Sequence, residues 1–483
     1  MGIRQKTCYF VLPFVNNESV TMGNYIVSNM KKIINLLALS LVMVSQGAMA
    51  QDAASPSGSR KWTLQECLDY ALANNIQLKQ NVITMLTNEQ SERQARAALF
   101  PSLSASTNQN GSWRPFSESF VNLSGGTMTT TSNEFNYNGS YGLNASWTVW
   151  NGGRNVKNVE KSKLTTAISE LAAERTANSI QEQIAQYFVQ ILYQTEAIEV
   201  NKQVLEAAKI QRDRAQTMVE VGSLAKVDLK QLEAQVSQDE YNVVNARTQL
   251  ENYKLQLKKI LELYGVPDFD VVTPLVNDDD VLTPIPAVED VFAVAREQRP
   301  EIKSGKLNLE SADLDIDIAK RGYYPTLSLS AGVGSSNSSG NDNAFFEQLK
   351  RNMNNTLGLT LSVPIFDNRQ NKTNVEKAKL SRQNYELQLL DAEKTLYQQI
   401  ETYWLNAHNA QQQYMYAKTN VESMQESYHL LSEQFALGLK NIVELNTSKN
   451  NLLQAEQQLL QSKYTTLLNL ALLRFYQGES IRL

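Results

Sequence analysis

Apolar and polar positions alternate along four short stretches of the chain. Leu357, Leu359, Leu361, Val363 and Ile365 are interleaved with Thr356, Gly358, Thr360, Ser362 and Pro364. Leu327, Leu329, Ala331 and Val333 alternate with Thr326, Ser328, Ser330 and Gly332. Tyr137, Tyr141, Leu143, Ala145, Trp147 and Val149 alternate with Asn138, Ser140, Gly142, Asn144, Ser146 and Thr148, and Leu103 and Ala105 carry a weaker version. A period of two is that of a β-strand. It predicts strands at about 101–113, 135–149, 325–334 and 355–365.

Elsewhere the period is seven. Leu229, Val236, Val243, Leu250, Leu257 and Tyr264 form one stripe; Leu445, Leu452, Leu459, Thr466 and Leu473 form a second; Ile184, Ile191, Ile198 and Leu205 form a third. A strict heptad marks helices wound about neighbouring helices. Arg154 to Val221 and Asp367 to Leu437 contain no Gly or Pro, so either run makes a helix of about 100 Å. The expected helices are 151–221 and 367–437. Each is followed, after a turn at Gly222 or Gly438, by a shorter one at 223–264 or 439–477. A tight turn between helices requires a residue tolerant of positive φ.

The chain is a tandem duplication. Tyr187-Phe188 matches Tyr403-Trp404, Asn158-Val159-Glu160-Lys161 matches Asn374-Val375-Glu376-Lys377, and Asp228-Leu229 matches Glu444-Leu445, all 216 residues apart. Phe100-Pro101-Ser102-Leu103-Ser104 matches Tyr324-Pro325-Thr326-Leu327-Ser328 at an offset of 224, which implies a longer loop in the first copy. The first repeat is 51–264 and the second 289–478, with a tail at 479–483. Between them 265–288, rich in Pro, Asp and Val, reads as a linker. Thr63 and Glu66 form a capping box that opens a helix running to about Leu99. Its counterpart spans 289–321, with a break expected at Pro300.

Composition narrows the class. Eleven prolines and 21 glycines in 483 residues favour long helices. A net charge of −5 gives no reason to expect nucleic acid. Cys8, Cys67, His408 and His429 supply almost nothing for a disulfide framework or metal site, and Cys67 reads as a small residue on a helix face. No phosphate loop or catalytic constellation is present, so no enzyme activity and no cofactor are expected.

Met30-Lys31-Lys32, the apolar run Ile33 to Val44 and Ala48-Met49-Ala50 have the form of a secretory signal at about 30–50, cleaved after Ala50. Residues 1–29 read as upstream extension. No cysteine follows the cleavage site, so lipidation is not expected.

No later segment holds 18 consecutive apolar residues, so a membrane role falls to the strands. Ten residues tilted near 45° cross a bilayer's apolar layer, and a face of Ser, Thr, Asn and Gly suits a wet interior. Phe100, Trp150, Tyr323, Tyr324 and Phe366 sit where strand meets helix, as an interfacial aromatic girdle would. The competing reading is a soluble sandwich. Four strands cannot close a barrel. Three chains would supply twelve strands and two would supply eight, so a trimer is favoured with the dimer left open.

The chain resembles the TolC family of outer-membrane channels over nearly all of its mature length. The resemblance rests on Trp62-Thr63-Leu64-Gln65-Glu66-Cys67-Leu68, Ala71-Leu72-Ala73-Asn74-Asn75, Arg299-Pro300-Glu301-Ile302, Arg321 to Leu329, Val363-Pro364-Ile365-Phe366 and the two Gly turns. It implies a mainly α fold with a β-barrel portion: antiparallel coiled-coil helices and four transmembrane strands per chain, closing in a homotrimer as a twelve-stranded barrel and a helical tunnel. It also implies outer-membrane lipid as surroundings, a periplasmic adaptor, and an inner-membrane pump of RND or ABC type, in efflux or type I secretion. Carried over by position, Asp228 is an acid at the closed mouth and Lys440 its partner. Glu444 is a constricting acid, and Thr447 stands where a second acid is expected. Gly222, Leu224, Gly438 and Leu439 form the tips that meet the adaptor. The alternative of a different class is a periplasmic coiled-coil scaffold without a channel.

Overall fold

The computed structural model describes residues 61–483 apart from 124–125, 266–267 and 275, with backbone alone over 116–134. The expected signal segment and its cleavage site lie outside the described residues.

The chain opens with a short strand, β1 (Lys61–Trp62), and two helices, α1 (Leu64–Asn74) and α2 (Ile76–Ala97). The capping box is present: Thr63 N–H donates to Glu66 at 3.0 Å and Glu66 N–H donates to Thr63 Oγ1 at 3.2 Å. Where the pattern predicts one helix to Leu99, the chain breaks at Asn75. Its side chain accepts from Leu78 N–H and donates to the Ile260 carbonyl. An Asn in this position caps a new helix instead of continuing the old one.

Strands β2 (Ser102–Leu123) and β3 (Gly126–Trp150) follow, then the 67-residue helix α3 (Arg154–Glu220) and α4 (Lys226–Ile260). The expected linker is docked structure. It carries β4 (Asp270–Val271), parallel to β1, and one turn of helix, α5 (Asp278–Val281), and it buries Phe269, Val271 and Val281. The second copy repeats the order as α6 (Val288–Gln298), α7 (Pro300–Lys320), β5 (Thr326–Ser338), a short α8 (Phe345–Arg351), β6 (Asn354–Ser362), α9 (Gln370–Ala436) and α10 (Ile442–Tyr476).

The duplication is met in the backbone. Both ends of α3 and of α4 recur in α9 and α10 at the same offset of 216. Asn75 and Arg299 are likewise 224 positions apart, each the cap between two helices. Ahead of α3 the chain turns through Gly152 and Gly153 at φ 69° and 77°; ahead of α9 the same places hold Asn368 and Arg369 at 50° and 68°. This two-residue left-handed turn is why α9 starts at Gln370, three residues later than the absence of Gly and Pro suggests.

The strands form one antiparallel sheet in the order β2-β3-β5-β6. β2 and β3 are 22 and 25 residues long, well beyond the predicted 101–113 and 135–149. The outer part of β3 is Thr-rich, and that of β2 scatters Phe116, Phe120, Val121 and Leu123 without a regular period of two, so no alternation announces either. The main core joins Cys67, Leu68 and Ala71 of α1 to Ile180–Leu192 on α3, and to Val291, Ile302, Ile400 and Leu473 on α6, α7, α9 and α10. The heptad stripes are buried or half-buried, except at Tyr264, which is exposed beyond the end of α4.

Candidate functional site

Cross-strand register decides what each face of the sheet offers. Leu103 is opposite Ala145, Leu143 opposite Val333, Trp147 opposite Leu329, and Leu329 opposite Leu359, with Leu327 opposite Leu361. Directly opposed residues share a face, so one side of all four strands is apolar. The other carries Ser104, Asn144, Ser146, Ser328, Ser330, Thr356 and Thr360. Over its helix-proximal part the apolar side is uncovered within the chain: Leu357, Leu359 and Leu361 are 80, 68 and 63% exposed. Sheets in water do not leave such a face bare.

At the helix end of this face lie Phe100, Trp150, Tyr323, Tyr324 and Phe366, all exposed. Trp150 and Tyr324 meet edge to face at 6.2 Å. Trp147, read from its alternation alone as a strand residue, joins them by donating its indole N–H to the Leu99 carbonyl at 2.9 Å.

The far ends of the long helices are the second feature. Gly222 and Gly438 have φ of 75° and 72°. Ser223 N–H bonds back to the Met218 carbonyl, and Leu439 N–H to that of Gln434, both at 2.9 Å. These six-residue closures use the left-handed glycine to satisfy helix-end carbonyls. Ala215, Leu232, Phe435, Ile442 and Leu445 form a small core that ties the two hairpin tips together. Leu224, expected at the exposed tip, is half-buried against that core. The exposed apolar tip residues are Val221, Val227, Leu437, Leu439 and Val443. Val221 and Leu437 occupy one repeat position, and Val227 and Val443 another.

Lys440 Nζ reaches Glu444 at 2.6 Å. Asn441 holds the same carboxylate at 3.0 Å and caps α10 by accepting from Glu444 N–H. Asp228, in the corresponding place on α4, is half-buried, and within one chain Lys440 pairs with Glu444 and not with it. Thr447 is exposed one turn beyond Glu444, its hydroxyl donating to the Val443 carbonyl at 2.8 Å.

Two buried ionic clusters lie away from the tips. Lys449 and Asp239 pair at 2.6 Å between α10 and α4; burial pulls the lysine below its ordinary pKa while Asp239 acts against that pull. Arg299 lies over the Tyr476 ring at 4.1 Å and bonds Glu182 and Glu301 at 3.2 and 3.1 Å. Burial raises the Glu182 carboxyl, and Arg299 opposes it. The signal for the first cluster was present in the sequence: Asp239 stands three residues after Val236, on the second apolar position of the heptad.

The pattern of the outer membrane efflux proteins matches residues 67–262 and 291–479. The chain belongs to the outer membrane efflux protein family. That places it among transport proteins and not among enzymes. It is 26% identical over 270 residues to outer membrane protein TolC of Escherichia coli strain K12, covering 55% of this chain and 54% of TolC. The matches to the TolC proteins of Salmonella enteritidis and E. coli thus span about half to three-fifths of those relatives. It is 22% identical over 439 residues to the probable efflux pump outer membrane protein TtgC of Pseudomonas putida, covering 86% of this chain and 84% of TtgC. Among solved folds, CusC superposes with a TM-score of 0.71 at 18% identity, covering 86 and 91% of the two chains. The Campylobacter jejuni channel CmeC gives 0.71 at 20% identity, covering 87% of each. This efflux family therefore accounts for a mainly helical chain with a sheet at one end.

Proposed function

We propose that three copies of this chain close their sheets into a twelve-stranded barrel in the outer membrane and their long helices into a tunnel, forming the passive exit duct of a tripartite efflux pump or type I secretion system. The observation that carries this is the four-stranded sheet with one bare apolar face. It needs lipid on that face, and strands β2 and β6 at its two edges need partners that only neighbouring copies supply without leaving unpaired backbone in lipid. The polar face then lines the pore. The relatives named as efflux outer-membrane proteins favour an efflux pump, and with it a periplasmic adaptor and an inner-membrane pump as partners. Val221, Leu437, Leu439, Val227 and Val443 are the apolar contacts offered to the adaptor. Asp228, Glu444 and Thr447 line the mouth, and Lys440 restrains it by offsetting the mutual repulsion of acids gathered about the axis.

Planar-bilayer conductance of the purified protein and of Lys440→Ala tests this. Small discrete steps from the parent protein and larger ones from the variant are expected. Equal steps remove Lys440 from the gate, and a folded, membrane-inserted protein without conductance returns the chain to a scaffold role.

A further inference from the structure

The link between β5 and β6 folds back as α8, and its docking side is informative. Phe345 meets the Tyr141 ring edge to face at 6.1 Å. Ser335 Oγ donates to the Leu349 carbonyl at 2.6 Å. Tyr141 and Ser335 are directly paired across β3 and β5, in the same odd-numbered row as Leu143, Val333 and Leu329. The helix is therefore laid against the apolar side of the sheet, not over its polar side. Gln348 fastens it, accepting from Ser338 N–H at 2.8 Å and donating to the carbonyls of Asn341 and Asn343 at 3.0 and 2.7 Å.

The outward face of α8 has a definite character. Phe346 and Lys350 stand at i and i+4 on one stripe of the helix, and Met353 follows two residues after the helix ends at Arg351, just before β6. Phe346 is 80% and Met353 58% exposed. Lys350, also exposed, has no ion-pair partner among the described residues, whereas its neighbour Arg351 is held by Glu347 at 2.7 Å. The level along the strands matters too. From Trp150 to Tyr137 is about 45 Å of strand, or about 30 Å along the normal at a tilt near 45°. That is the thickness of a bilayer's apolar layer, and α8 docks just short of its outer limit.

Resting on the barrel reading above, we infer that α8 is an interfacial anchor. It inserts Phe346 and Met353 among the acyl chains of the leaflet farther from the helices, while Lys350 engages the anionic headgroups of that lipid surface. Aromatic and thioether groups with a snorkelling lysine suit that boundary. The short helix thus extends the contact with lipid on the β5 side, where the row turns polar at Ser335 and Asn337 beyond Val333, while β3 continues the row with Tyr141, Tyr137 and Phe135.

Nitroxide labels at Phe346→Cys, Leu359→Cys and Thr360→Cys test this, in full-length protein reconstituted in phosphatidylcholine vesicles with and without phosphatidylglycerol. Buried Cys67 is checked with the parent protein as the unlabelled control. Power saturation by oxygen and by a water-soluble nickel complex reads depth. The Leu359 label is expected deep in lipid, the Thr360 label open to nickel, and the Phe346 label at the headgroup boundary. Adding Lys350→Glu should move the Phe346 label toward water in the vesicles with phosphatidylglycerol. A Phe346 label as open to nickel as that at Thr360, with Leu359 still deep, overturns the anchor and leaves the barrel standing. An unmoved label in Lys350→Glu overturns the headgroup contact. A Leu359 label open to nickel overturns the barrel and the anchor with it.

Discussion

Lys449 on α10 reaches Asp239 on α4 at 2.6 Å, with side-chain exposures of 5 and 3%. It is a link between the two helical hairpins, hidden from solvent on both sides. Removing one member strands a buried charge, which costs about 3–5 kcal/mol, whereas replacing both by apolar residues is often neutral or stabilising. Lys449→Met alone should lower the thermal midpoint of the detergent-solubilised protein by many degrees. The pair Asp239→Leu with Lys449→Met should recover most of it. Equal midpoints for the single variant and the parent would show that the link contributes nothing.

The two faces of β6 should respond oppositely to charge. Leu359→Arg places a cation on the apolar side, which in the proposed barrel meets lipid, where the cost reaches about 2–4 kcal/mol at the bilayer midplane and falls toward the interfaces. Thr360→Arg places it on the polar side, which in that barrel lines the pore. Fractionation of membranes should show loss of inserted protein for the first substitution only. Equal insertion of the two variants would contradict the assignment of faces.

Glycine replacement separates backbone strain from crowding. Gly222→Ala meets open space, so only its left-handed φ of 75° is penalised, by about 1–2 kcal/mol. Gly152→Ala suffers the same penalty, and its Cβ would also lie 2.8 Å from that of Tyr324. Urea unfolding should rank Gly152→Ala as the more damaging of the two.

Cys67 is fully buried, and burial pushes its thiol up to about 12. At pH 8 only about one molecule in ten thousand then carries the reactive thiolate. Iodoacetamide should leave Cys67 unmodified in the native protein and modify it promptly in denaturant, as mass spectrometry would show. Raising the pH toward 12 should speed the reaction, and labelling of native protein at pH 8 would mean that the α1 region opens readily.

Much of this architecture was legible because its signals are local or repeated. Thr63 and Glu66 sit at capping-box spacing, the strand residues alternate, and Gly222 and Gly438 interrupt long runs without helix breakers. The missed features are those where one copy uses a different residue for the same bend. Pro300 announces a break in the second copy, whereas Asn75 makes the equivalent break with a side-chain cap and no proline. Gly478 turns the chain after α10 at φ 90°, and Glu262 does so after α4 at 57°, its carboxylate receiving the Ile76 N–H at 3.3 Å. Leu224 looked exposed because a tip is exposed on average. Its burial depends on Leu232, Phe435 and Ile442, which come from three different helices.

The matching ends of the four long helices have a genetic consequence. In the proposed trimer, six hairpin tips ring the axis, but any codon is expressed there only three times. A channel of six identical short chains could not change one tip without changing all. Here Lys440 stands where the first copy has Leu224, and Asn441 where it has Ala225, so neighbouring tips differ. One can specialise in charge while the next retains its apolar packing, which halves the symmetry of the mouth without disturbing its outline.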